Sequence, residues 1–234
     1  MDAHDQMLKL FQELQAAGSP VRLLNTYRGF PVAYDATILS IDKGMVACRV
    51  HEYQAVSMAL EGVTHIQSER LPETVRASVM AVDVVKKRAV LTEFEGADSA
   101  IGKRESIRVQ PNEPLDAEIY DGRRRIGGKI ADISSTGVGV FTFAAYIYGD
   151  LSFELNKEVY VDFRLPNAEA ITRFQGVVTS VVDQKGTSMH RLGVKIFPNP
   201  EVQPLLESYI QTRKEETARE LSLIYASMSQ GKAE

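Results

Sequence analysis

Residues 103–139 read KRESIRVQPNEPLDAEIYDGRRRIGGKIADISSTGVG, and the rest of the chain is arranged around them. Two pieces of this stretch stand out. Arg104 and Arg108 form R-x-x-x-R just after a Gly/Ser/Ala-rich joint, GADSAIG. Asp132, Ser134 and Gly137 form D-x-S-x-x-G, after the strand-like run Gly128 to Ala131 and before the apolar run that begins at Val138. Each piece alone has a bland reading. Basic residues four apart usually form a solvated face, and D-x-S-x-x-G can be an Asx-type turn between two strands. Together, in this order and at a linker-to-strand junction, they define one candidate site.

The conjunction resembles the PilZ domain, whose members bind the bacterial messenger cyclic di-GMP. Every fixed position of both family motifs is present: Arg104, Arg108, Asp132, Ser134 and Gly137. The resemblance covers about residues 100–200 and extends to Arg191–Phe197, which is similar to the last barrel strand of such domains. It implies a ligand with two phosphates and two guanines. Arginine's planar fork suits both features, holding a phosphate or the O6/N7 edge of guanine. In a straight strand, residues four apart would lie about 13 Å apart; a bent segment can turn both forks toward one ligand. On this reading Asp132 accepts from guanine N1–H and N2–H₂, Ser134 adds a hydroxyl, and Gly137 permits a tight turn or a close backbone approach. In the resembling family a basic residue just before the first arginine accompanies a stacked pair of ligands; here it is Lys103. No further cofactor is implied.

Composition bounds these readings. The 234 residues suffice for two ordinary domains, and 44% hydrophobic content allows a real core in each. A net charge of −4 argues against a general nucleic-acid or anionic-membrane binder. The single cysteine, Cys48, rules out an intramolecular disulfide and fits a reducing cytoplasm. The N-terminal MDAHDQMLKLFQELQ lacks the basic start and apolar core of a signal peptide. No apolar run approaches the ~20 residues a membrane helix needs. A cytoplasmic protein is the expectation.

In chain order, Met7, Leu10, Phe11 and Leu14 make an apolar stripe that predicts a helix over 2–17, ended by Gly18 and Pro20. From Val21 to Phe94 the pattern has period two, as at Val46, Cys48, Val50 and at Val75, Ala77, Val79, with turn signals at Arg28-Gly29, Lys43-Gly44, Glu61-Gly62 and Leu71-Pro72. This predicts an all-β domain of about six strands. Residues 95–102 are linker-like in composition. Alternation resumes at Leu115, Ala117, Ile119 and runs through Phe197, with a longer aromatic loop between Phe143 and Lys157. Helical spacing returns over 204–229, where Leu206, Ile210, Leu221, Ile224, Tyr225 and Met228 form a stripe that docks on a barrel or pairs two copies in a homodimer. The expected fold is mainly β: a split-barrel-like domain with a leading helix (1–95), a linker carrying R-x-x-x-R (96–109), and a PilZ barrel with a C-terminal helix (110–234).

The four histidines share no metal-ligand spacing, and no phosphate loop or nucleophile elbow is present. Arg123-Arg124-Arg125 reads as a solvated hairpin or an extra attraction for phosphate. The expectation is a non-enzymatic cyclic di-GMP receptor of the two-domain flagellar-brake type, acting through a protein partner such as the flagellar motor. Two rivals stand beside it: a flavin-dependent split-barrel enzyme, and a structural adaptor that has lost its ligand.

Overall fold

Among the described residues, twelve strands carry the period-two pattern, and they close into two barrels of six strands each. The structure is a computed structural model; it describes residues 3–97, 106–123, 125–143, 154–166, 168–184 and 187–230. Lys103, Arg104 and most of the expected linker and aromatic loop therefore lie outside the described residues. Contacts divide the chain into two units, Met1–Tyr27, Pro31–Glu105 and Thr217–Glu234 in the first, Arg28–Phe30 and Ser106–Glu216 in the second.

In the first unit, α1 (Ala3–Ala16) precedes β1 (Val21–Tyr27), β2 (Phe30–Asp42), β3 (Met45–Arg49), α2 (Glu52–Glu61), β4 (Val63–Gln67), β5 (Val75–Asp83) and β6 (Arg88–Gly96). The strands close in the order β1-β2-β3-β6-β5-β4. The α1 stripe buries Phe11 and Leu14, with Phe11 against Phe94, ring centroids 4.9 Å apart. The β1–β2 and β2–β3 turns use left-handed pairs, Arg28-Gly29 and Lys43-Gly44, which match the strand twist of a two-residue hairpin.

Helix α2 departs from the all-β expectation for this domain. Val56, Met58 and Leu60 alternate and imitate a strand, but Gln54 to Met58 are all buried in a row, without the alternation of a half-buried strand. Its ends carry cap chemistry: the His51 ring accepts from the Tyr53 N–H, and Gly62, left-handed at φ 68°, donates its N–H to the Met58 carbonyl. Glu61-Gly62 is thus a helix stop rather than a strand turn.

The second unit holds β7 (Asp116–Tyr120), β8 (Arg125–Ser134), β9 (Gly137–Phe143), β10 (Glu158–Phe163), β11 (Thr172–Asp183) and β12 (Met189–Phe197), closed in the order β10-β11-β12-β9-β8-β7. Alternate residues point inward and meet as one core, including Ile119, Ile126, Ile133, Val140, Val161 and Leu192. Phe163 and Phe174 stack in it with centroids 4.8 Å apart. Helix α3 (Gln203–Gln230) follows, and its Leu206, Tyr209 and Ile210 join this core.

The barrel wall is close enough in places to require glycine. A Cβ on Gly176 in β11 would sit 2.5 Å from the Lys195 carbonyl oxygen of β12, a backbone atom that no rotamer change can move. Gly176→Ala should therefore destabilise the fold by about 1–3 kcal/mol and lower the thermal midpoint by several degrees. Scanning calorimetry of the variant checks this; an unchanged midpoint would mean that the β11–β12 spacing relaxes freely.

Candidate functional site

Asp132 and Ser134 lie within strand β8 rather than after it, and a bulge decides which way they face. Ile130 pairs with Val140 and Asp132 with Gly139, so Ala131 is the extra residue. The insertion lets Ile130 and Ile133 both enter the core and leaves Asp132 and Ser134 on the outer side of the sheet. β8 and β9 then join through a two-residue turn, with Ser134 opposite Gly137. The Ser134 hydroxyl donates to the Gly137 carbonyl at 3.1 Å. Gly137 is no left-handed turn residue; it serves close approach, since a Cβ there would stand 3.1 Å from the Val194 carbonyl oxygen.

The segment carrying the second arginine is fastened along this strand. Val109 exchanges both backbone hydrogen bonds with Ile133, at 2.8 and 2.9 Å, as an isolated antiparallel bridge. Three residues further along each segment, the Ser106 and Thr136 hydroxyls meet at 3.1 Å. On the other side Gln110 donates its N–H to the Arg28 carbonyl and accepts from Arg213 Nε, both at 3.0 Å. The bridge sets Arg108 beside Asp132, with Nη1 3.7 Å from Oδ1. Arg108 is thus half-buried and ion-paired, where a lone R-x-x-x-R suggests a free, solvated side chain.

A third arginine, which sequence reasoning placed only in the last strand, completes the group. Arg191 of β12 donates from Nη2 to Asp132 Oδ2. It reaches across β9 because Gly139 lies beneath: a Cβ on Gly139 would fall 2.8 Å from Arg191 Nη2 and 2.9 Å from Asp132 Oδ2. Gly139 faces Asp132 on one side and Gly193 on the other, and it is itself buried beneath the Asp132 and Arg191 charged groups. The only sequence signal for Arg191 was its outward parity in a strand whose Leu192, Val194 and Ile196 face inward. Asp132 itself is only 8% exposed.

The arrangement gathers Arg108, Asp132, Ser134 and Gly137 on one sheet face, with Arg191 and Gly139 added. Asp132, Ser134 and Gly139 are buried there, and the half-buried Arg108, Gly137 and Arg191 border them, a polar, arginine-rich group suited to an anionic ligand. The Arg125 part of the basic run is spoken for: it pairs with Glu118 at 2.9 Å and lies over the Tyr120 ring. A separate groove of about 920 Å³ in the second unit, lined by Pro111, Leu115, Phe163, Ile171 and Tyr209 among others, contains none of these site residues. Burial pushes the Tyr209 phenol there up to about 12. Among the described residues, no group of three His, Cys, Asp or Glu is placed to hold a metal, and no helix is long and apolar enough to cross a membrane.

A family profile described as PilZ domain matches residues 102–212. No curated protein matches the chain. Among solved structures, the chain is similar to YcgR in complex with c-di-GMP from Escherichia coli, at 13% identity and TM-score 0.46, over 95% of this chain and 94% of that one. It is similar to the Bacillus subtilis inhibitor of motility (MotI/DgrA) at 16% identity and TM-score 0.44, over 85% and 97%. The K. pneumonia MrkH–c-di-GMP complex matches at 12% identity and TM-score 0.43, over 93% and 97%.

Proposed function

Because residues 102–212 match the PilZ domain profile, we propose that the chain is a cyclic di-GMP receptor whose site is the outer face of β8 and β9 together with the arginine-bearing segment before it. The observation that carries this reading is the Val109–Ile133 bridge, which fastens the residues next to Arg108 along β8 and brings Arg108 to 3.7 Å from the Asp132 carboxylate. In this reading the carboxylate accepts from guanine N1–H and N2–H₂. Arg104 and Arg108 supply forks for phosphate and for the O6/N7 edge, Ser134 supports the turn, and Gly137 keeps the backbone accessible. Lys103 adds a cation. No step of this function makes or breaks a covalent bond, so the chain acts as an effector rather than an enzyme, and no cofactor is required.

Occupancy would be read through the segment that bears the arginines. It joins domains proposed at 1–95 and 110–234, and a ligand can shift only an equilibrium whose states it binds differently. Arg108 holds Asp132 loosely without ligand and would turn to the ligand when it binds. The proposed output is a changed contact with a protein partner, with a flagellar motor component as the target to test first.

Isothermal titration with cyclic di-GMP, cyclic di-AMP and GTP tests the receptor reading. Tight binding of the first alone is expected; no binding of it would overturn the proposal. A stacked ligand pair concentrates four phosphates, so the Lys103 cation favours it. The titration should give two ligands per wild-type chain and one after Lys103→Leu. One per wild-type chain would reject the paired mode.

A further inference from the structure

Two arginines hold Asp132, and they hold it differently. Arg191 makes a direct hydrogen bond to Oδ2, whereas Arg108 stands 3.7 Å from Oδ1, beyond hydrogen-bond length. The Arg191 side chain is also the more enclosed, 24% exposed against 36% for Arg108. The Arg191–Asp132 bond rests on Gly139, where any side chain would push the two groups apart. A carboxylate offers about four lone-pair sites. One is taken by Arg191, which leaves a site on each oxygen for two donors arriving side by side.

We propose that Arg191 is a positioning residue that sets the specificity of this site: it fixes the Asp132 carboxylate over Gly139 so that both of its oxygens meet guanine N1–H and N2–H₂ together. The proposal rests on the receptor reading above. Arg108 is the arginine that leaves for the ligand, and Arg191 is the one that stays. An Asp132 side chain without Arg191 is free to rotate about its terminal torsion, which is broad and poorly restrained, and then meets one guanine donor at a time.

The test measures binding of cyclic di-GMP and of its hypoxanthine analogue, cyclic di-IMP, which lacks the N2 amino group. Wild type should prefer cyclic di-GMP. Arg191→Ala should weaken cyclic di-GMP about tenfold, the scale of one lost charge-assisted bond, while affecting cyclic di-IMP less, so that the preference shrinks. Gly139→Ala retains every charged group and should shrink it likewise. In an Asp132→Ala background, adding Arg191→Ala should change neither affinity by more than about twofold, since the two residues act as one. Thermal unfolding of each variant establishes that it is folded. An unchanged preference in both folded Arg191→Ala and Gly139→Ala proteins would reduce the pair to a structural contact and overturn the proposal. A tenfold loss from Arg191→Ala in the Asp132→Ala background would overturn it too, by making Arg191 a direct contact. A wild type that binds neither ligand would instead overturn the receptor reading, a result distinct from either.

Discussion

Arg108→Ala should weaken cyclic di-GMP binding by about 2–4 kcal/mol, because a fork that makes more than one charge-assisted bond to phosphate or guanine is removed at once. Arg104→Ala should do the same. The structure adds an expectation about folding. Arg108 is 36% exposed and its distance to Asp132 is 3.7 Å, so its pairing should contribute no more than about 1 kcal/mol to stability. Binding and stability therefore separate at this residue: calorimetric affinity collapses while the thermal midpoint hardly moves. Hydrogen exchange with saturating ligand gives the second readout. Val109 and Ile133 are already bridged, so added protection should fall upstream of Val109 and should vanish in the double variant. Unaltered affinity in both single variants would sink the site.

Asp132→Ala should have the next largest effect, and it should appear in two measurements. Cyclic di-GMP binding should weaken by about 2–3 kcal/mol as guanine loses the acceptor of two donors. Adenine has no equivalent donor pair, so the wild type should discriminate against cyclic di-AMP and the variant should do so less. Stability should fall as well, by about 1–2 kcal/mol. Asp132 is 8% exposed, and its removal takes the carboxylate from Arg191, whose guanidinium lies against the sheet over Gly139. Both variants lose the Arg108–Asp132 contact, but Arg108→Ala leaves Asp132 paired with Arg191, whereas Asp132→Ala takes the carboxylate from Arg191 as well. Equal affinity of the wild type for the two cyclic dinucleotides would show that Asp132 does not read the base.

Much of this protein is local in origin and was legible as such. The alternation at Val46–Val50, Val75–Val79 and Leu115–Ile119 marks strands because inward and outward side chains alternate in any strand, whatever it pairs with. The α1 stripe and the α3 stripe declare helices by the same kind of argument. Arg108, Asp132, Ser134 and Gly137 could be named as candidates in advance because their types and spacing are themselves the signal. Helix α2 shows where local pattern misleads: Val56, Met58 and Leu60 alternate like a strand, yet the segment is a helix closed by the His51 and Gly62 caps, with Gln54–Met58 buried in a row.

The chain's sequence by itself therefore determined the two β domains, their flanking helices and the motif residues, since each depends on neighbours a few positions away. The tertiary structure alone decided how the barrels close and what surrounds Asp132. Arg191 reaches Asp132 across 59 residues of chain, and it can do so only because β12 and β8 both flank β9 and because the β8 bulge turns Asp132 toward the bare backbone at Gly139. That register is set by closure of six strands around one core, a condition on the whole barrel that no stretch of its sequence carries alone.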